Sequence, residues 1–479
     1  RGCRDGGMGV KTKARLAGRL KNYLLADGFE FPLSAGAVNG TRATPPANCI
    51  VEGPTPNLRT VTDTESKLSI AGGQLSFAGG KATPASGDPG LWYPAQARVA
   101  GRVLLAKWNR ASGAEFLLGW DTNLSGVIAE HALDTGTLNL RLYDASANIV
   151  VGLTVAATIY NMAFVLRSNG AFYLIKGGAF TNWTLVWLSG VGSTATLYAA
   201  VQSYNSVFDI DDAFIPAQIW LPAPLASDSF TRADGVLGTT DGATGEKNGG
   251  AGLTWNFDAG VATIATNKAV ITPTLGAEQA TGNLVVGTWY SITASEANYF
   301  YTGSAVGDVF RAAATTALDA NNKVQAITLS SMFATVALTT SSVKVRTTVA
   351  ALTAKTTAGV AIINNATTPT QGILFRFDGS GNCKIDEFTA ALTWNALATG
   401  VKAFTASDQL ELDISTTAYR AYHVTAAGVA TLIASGTLTA ALAANVGIFS
   451  GAATNTFSAF SSYDKGLEGQ YESLSQLAT

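Results

Sequence analysis

The acids best placed for chemistry are Glu411 and Asp413, two residues apart in Leu410-Glu411-Leu412-Asp413-Ile414 and so on one face of any strand formed there. Asp386 and Glu387 are adjacent, which points them to opposite faces. Retaining cleavage of a glycosidic bond needs two carboxyl groups about 5 to 5.5 Å apart across that bond, and neither pair supplies this by itself. The two histidines, His131 and His423, lie far apart, and neither has a Cys, His or carboxylate at a metal or triad spacing. In Asp209, Asp211 and Asp212, period two puts Asp209 and Asp211 on one face and Asp212 on the other. A calcium ion takes six to eight oxygens, far more than one strand offers. A solvated strand end is the simpler reading, with no cofactor. Gly249-Gly250-Ala251-Gly252 lacks the lysine and following helix of a phosphate loop. Cys3, Cys49 and Cys383 are too scattered for a zinc site or a disulfide framework.

Binding without bond cleavage would use other residues. Flat aromatic faces stack on sugar rings, which makes Trp92, Tyr93, Trp120, Trp289 and Tyr290 glycan-binding candidates. Only two or three of the aromatic side chains are expected at the surface, the rest in cores. The one cluster of charge is basic: Lys11, Lys13, Arg15 and Arg19 lie opposite Leu16, Leu20, Tyr23 and Leu24 in a predicted amphipathic helix over Gly9–Leu25. Such a helix can lie on a membrane, a nucleic acid or a protein. Packing on its own domain or on a neighbouring subunit is the plainer expectation, so the four cations are read as subunit-anchoring candidates.

The elements that position these residues are strands. Hydrophobic residues make up 47% of the 479-residue chain and charged residues 13%, a composition that builds real cores. Fifty glycines among Val, Thr and Ser suit short strands and tight turns. Lys67 to Phe77 reads as a hairpin turning at Gly72-Gly73, and Val343 to Thr347 and Leu410 to Ile414 alternate as half-buried strands. The apolar stretch Ile149 to Leu166 is broken by Gly152, Tyr160 and Asn161, which predicts two strands and no membrane span. A net charge of −2 gives no global field toward nucleic acid.

A weak internal repeat divides the chain. Asp27-Gly28-Phe29 is echoed by Asp228-Ser229-Phe230, Asp144-Ala145-Ser146-Ala147-Asn148 by Asp378-Gly379-Ser380-Gly381-Asn382, and the aromatic run Val207–Phe214 by Phe457–Tyr463. Arg141 and Arg376 precede the two turns one residue out of step. The prolines 216, 222 and 224 mark a stiff linker. The expected layout is a basic arm over 1–26, sandwiches over 27–221 and 226–465, a small β module inserted around 283–330, and a tail over 466–479. Met8 followed by Gly9 reads as a candidate translation start.

Asp228-Ser229-Phe230-Thr231-Arg232-Ala233-Asp234-Gly235-Val236-Leu237-Gly238, with Trp255 following, resembles the opening of concanavalin A-like (laminin-G-like) jelly-roll domains of bacteriophage virion and bacterial surface proteins. Leu410 to Tyr422 is similar to paired strands late in that domain, and Gly87 to Tyr93 carries a looser likeness in the first half. The resemblance implies two antiparallel sheets packed face to face, which with the internal repeat and the predicted helix gives an all-β fold of two tandem antiparallel sandwiches behind a short N-terminal helix. It also implies glycan contact or a place on a virion exterior. Its glycoside-cleaving relatives carry Glu-x-Asp-x-x-Glu on one strand; here Glu411-Leu412-Asp413 begins that pattern, and Thr416 stands where the last acid would be. The expectation is therefore a non-enzymatic phage structural protein of a tail fibre, tail tip or capsid decoration. Its partners would be other virion subunits, further copies of itself and a cell-surface glycan, at an extracellular location. The alternatives are a secreted carbohydrate-active enzyme and a bacterial adhesin.

Overall fold

The computed structural model describes residues 23–27, 60–71, 74–80, 88–112, 116–123, 130–135, 139–144, 147–154, 158–192, 196–204, 207–241, 252–257, 261–327, 332–442, 445–466 and 471–477. Alternation along short apolar runs builds it. In the hairpin Leu68–Ala71 and Gln74–Ala78, Leu68 faces Phe77 and Ile70 faces Leu75, and all four are buried. Ala147–Thr154 and Ile159–Leu166 are separate strands, and no helix among the described residues is long and apolar enough to cross a membrane. The chain divides into two compact units, one of residues 1–221 with 466–479 and the other of residues 222–465.

The first unit is an antiparallel β-sandwich. Its eight-stranded sheet runs Phe180–Leu188, Ala171–Gly177, Ile159–Leu166, Val103–Ser112, Val207–Pro216, Gln74–Ala78, Leu68–Ala71, with Tyr23–Asp27 also on Val207–Pro216. Its seven-stranded sheet runs Ala147–Thr154, Asn139–Asp144, His131–Thr135, Phe116–Asp121, Tyr198–Ser203, Gly90–Trp92, Thr60–Thr62. Aromatic side chains join the sheets: Trp108 meets Phe116 edge-on at 4.9 Å, Phe116 stacks on Phe208 at 4.2 Å, and Trp120 Nε1 donates to the Phe164 carbonyl.

The second unit repeats the architecture. A nine-stranded sheet centred on Thr456–Asp464, Val343–Ala351 and Gln409–Ser415 faces a six-stranded sheet of Phe333–Ala337, Asn445–Ser450, Ala358–Ile363, Gly372–Phe377, Asn382–Phe388 and Trp394–Ala403. Between them lies a core that includes Val345, Leu412, Val360, Phe375 and Phe460. Cys383 is buried there, and desolvation pushes its thiol well up. A third sheet, of Leu275–Gln279, Lys323–Ile327, Trp289–Ala294 and Val309–Arg311, is the inserted module, and it begins one strand earlier than the sequence suggests. Trp289, Val309 and Ile327 pack on Ala361, Ile363, Leu374 and Phe388, which alternate with core residues along their strands. The module therefore covers the outer face of the six-stranded sheet.

The opening motif of this unit is a clamp. Asp228 is buried; its Oδ1 accepts from Arg232 Nη1 at 2.6 Å and from the Phe230 amide, while Oδ2 accepts from Arg232 Nη2 and Trp255 Nε1. Asp241 takes the Ser229 amide and hydroxyl, and Phe230 turns through a positive φ of 54°. The Asp-x-Ser-x-Asn spelling is a turn for the same kind of reason. Asp378 Oδ1 accepts the amides of Ser380 and Asn382, and Gly381 supplies a φ of 81°.

One expectation changes. The helix predicted over Gly9–Leu25 does not continue through its end: Tyr23–Asp27 is a strand, paired with Val207–Pro216, with Leu25 buried opposite Ile215. Ladder hydrogen bonds and burial on the closing strand outweigh local helical periodicity there. The expected tail, Gly466–Thr479, belongs to the first unit. Replacing Asp228 with Ala is expected to cost the second unit about 2–3 kcal/mol, since it leaves the buried Trp255 indole N–H and the Phe230 amide without their acceptor and removes one of the two carboxylates on Arg232. Urea unfolding followed by tryptophan fluorescence checks this, and Asp228→Asn should lose less.

Candidate functional site

Glu411 and Asp413 do share a face, the one turned away from the sandwich core, but each is matched by cations from the neighbouring strand Val343–Ala351. Lys344 Nζ lies 3.0 Å from Glu411 and 3.1 Å from Asp413, Arg346 Nε donates to Glu411 at 2.9 Å, and Lys465 pairs with Asp413. Burial would raise the Asp413 carboxyl, yet Lys344 and Lys465 pull it down to about 2; Glu411 is lowered in the same way by Arg346 and Lys344. Burial draws the Lys465 ammonium down to about 8. Acids held ionised by three adjacent cations are poor proton donors and are already engaged as acceptors.

A second constellation joins the module to the six-stranded sheet. Arg376, fully buried, sends Nη1 to Asp308 at 2.7 Å and to Thr357, Nε to Asp386 at 2.8 Å, and Nη2 to the Tyr301 hydroxyl. Its cross-strand neighbour Lys384 donates to Asp308 at 3.0 Å and to the Gly303 carbonyl, and sits 4.5 Å from the Tyr301 ring centroid. Tyr301 donates to Asp308 at 2.6 Å. Burial works against the Asp308 charge, but Arg376 and Lys384 lower its carboxyl to about 2. For Asp386, burial prevails over the same cations and the carboxyl is raised, and its Oδ1 has no hydrogen-bond partner. Two carboxylates therefore converge, with a guanidinium between them where a scissile bond would have to sit.

The histidines have spatial partners that their sequence surroundings hide. His423 Nε2 lies 2.8 Å from Asp408, which directly precedes Gln409–Ser415, the strand paired with that of His423. His131 stands opposite Asp144 in the ladder, 3.4 Å from its carboxylate, with Arg98 Nη2 3.0 Å from Nε2 and the Tyr173 hydroxyl 2.9 Å from Nδ1. An arginine N–H can only donate, so Nε2 is an acceptor and the neutral ring carries its proton on Nδ1. Asp144 also accepts from Trp187 and Ser189. Both histidines are buried: His131 ties its sheet to Tyr173 of the facing one, and His423 with Asp408 ties two neighbouring strands of a single sheet.

Trp92, Tyr93, Trp120, Trp289 and Tyr290 are each 3% exposed or less, so none offers a ring face at the surface. Large aromatic side chains in strand centres fill the cores, as Trp289 does against Phe333, Phe388 and Trp394. Asp209 stands opposite Asn109 and Asp211 pairs with Lys107, so the two acids do share the outer face, although the register slips between Ile210 and Asp212 and makes a bulge there. Among the described residues no three His, Cys, Asp or Glu side chains gather as a metal site. Lys11, Lys13, Arg15 and Arg19 lie outside the described residues. Asp308, Tyr301, Arg376 and Lys384 were not singled out as site residues from sequence. The available signal was charge within apolar runs, in Gly-Ile-Leu-Phe-Arg-Phe and Gly-Asp-Val-Phe, where a buried ion requires a partner.

No protein-family model and no curated protein sequence matches the chain. Among solved structures it is similar to a putative β-glucanase from Mycobacterium abscessus, at 9% identity and a TM-score of 0.27 over 40% of this chain and 99% of that one. It is also similar to a β-1,3-glucanase from Mycobacterium marinum, at 12% identity and a TM-score of 0.26 over 40% and 98%. A third likeness is to a pseudo β-1,3-glucanase of Mycobacterium tuberculosis, at 9% identity and a TM-score of 0.27 over 41% and 99%. At these scores no activity carries over.

The lowered carboxyls set an acid response. Asp308 and Asp413 fall from 3.8 to about 2 on folding, so their contribution is complete above pH 4 and is lost as pH falls through 2. Each shift is worth about 2 kcal/mol. Raised Asp386 acts in the opposite sense. Urea unfolding at pH 5, 3 and 2 is expected to show a shallower loss of stability in Asp308→Asn than in the parent chain.

Proposed function

We propose that the protein is a non-enzymatic structural component of a bacteriophage exterior, of a tail fibre, tail tip or capsid decoration, whose jelly rolls form a durable shell that contacts host glycans. The observation that carries this reading is the sealing of the outer face of the six-stranded sheet. The module lies across it, and the converging acids Asp308 and Asp386 hold Arg376 between them. Glu411 and Asp413, the other acid pair, are buried and cation-matched. Interiors tied by charge networks and aromatic packing suit a protein whose task is to persist. The resemblance of the Asp228–Gly238 motif to phage and bacterial surface jelly rolls supplies the setting, and further virion subunits and copies of this chain are the partners it implies.

Two measurements decide between this and a carbohydrate-active enzyme. Mass spectrometry of purified particles should find the chain in many symmetric copies. Incubation of the full chain with β-glucans and acidic polysaccharides should release reducing ends no faster than buffer. A monomer that depolymerised either substrate would reverse the assignment.

A further inference from the structure

The outer face of the eight-stranded sheet carries a feature that neither the acid pairs nor the buried aromatics account for. Asn161 pairs in register with Lys107 on one side and Lys176 on the other, so the three form a row across adjacent strands. Trp108 and Tyr160 stack face to face in the sandwich interior, and the residues next to them, Lys107 and Asn161, point the opposite way. Strands stand about 4.8 Å apart, which spreads the row over about 10 Å.

The tail closes this row into a cavity. Leu474 is buried against the sheet, Trp183 Nε1 donates to Ser475 Oγ at 2.9 Å, Glu472 pairs with Lys176, and Trp220 Nε1 donates to Ser473 Oγ. What remains is a pocket of about 180 Å³ with an apolar side of Leu105, Phe214, Leu474 and Trp183 and a polar side of Lys107, Asn161, Lys176 and Ser475. That is below the roughly 300 Å³ at which drug-sized sites begin, so the occupant is one ring-sized residue.

We infer that this pocket binds a single acidic sugar residue, a uronic acid, with its carboxylate on the lysines and its ring against the apolar side. This rests on the glycan-contact part of the proposed function and gives it a location. Each ammonium has three donors and makes one salt bridge at the rim, Lys107 to Asp211 and Lys176 to Glu472, so a ligand carboxylate can be bound without displacing either acid. The Asn161 amide, which hydrogen-bonds to no other described side chain, is free for a hydroxyl. A bare anion would use one end of the row and leave the apolar side unmatched; a neutral sugar would leave the remaining ammonium donors with no anionic acceptor beyond the two rim carboxylates.

Ligand-observed NMR titration of the full chain with D-galacturonate, D-galactose and inorganic phosphate tests this. Saturable galacturonate binding is expected, with galactose and phosphate each weaker by about tenfold or more, the scale of one charge-assisted hydrogen bond. The double variant Lys107→Gln/Lys176→Gln should lose about tenfold or more, while Lys268→Gln, on a turn of the second unit, should not change. If the double variant unfolds early, Asn161→Leu, which breaks no ion pair, is expected to show the loss instead. No saturable binding, equal binding of galactose or phosphate, or galacturonate binding that survives these substitutions would overturn the proposal. Such a result would leave the particle copy number and the absence of hydrolysis to be judged on their own.

Discussion

A fully buried guanidinium tolerates no misplacement of its partners. Arg376 has two carboxylates, a phenol and a threonine hydroxyl around it, contributed by the six-stranded sheet and by the inserted module. Because an uncompensated charge in the interior costs several kcal/mol, the module must dock where Asp308 and Tyr301 meet Arg376 and Lys384. That requirement fixes which face of the sheet is covered and leaves the converging acids with no room for a substrate. Apolar packing of Trp289 and Val309 on Leu374 and Phe388 supplies area, and the ion network supplies the register.

The first unit reaches a comparable result with different chemistry. Its sheets are tied by Trp120, Trp187 and His131, whose polar atoms find acceptors or donors across the sandwich. The exposed face of its eight-stranded sheet is roofed by residues from the far end of the chain. There the cations pair at the rim and not in the interior, which is the physical difference between a lock and a place where a charged ligand can enter.

Much of the fold was legible because alternation and turn chemistry are local. The Leu68–Phe77 hairpin, the Asp378 turn and the Asp228-Ser229-Phe230 opening each follow from a few adjacent residues. The end of the predicted helix, Tyr23 to Leu25, is a strand because its pairing with residues near 215 is not local, and the rest of that prediction lies outside the described residues. The aromatic candidates failed for a related reason: strand-centre Trp and Tyr residues look the same in sequence whether they line a core or a surface. The bulge at Asp211, the salt bridges of Arg376 and the row Lys107–Asn161–Lys176 depend on which strands become neighbours, and a weak repeat does not state that order.

The account turns on Arg376 being a docking tie and Asp308 its counter-charge, which a double-mutant cycle on unfolding free energy measures directly. With Arg376→Met, Asp308→Asn and both together, it predicts that Arg376→Met alone costs about 3–5 kcal/mol and that the two sites couple by about 2 kcal/mol or more. Additive effects, or a stable Arg376→Met chain in which Asp308 and Asp386 support hydrolysis, would contradict it.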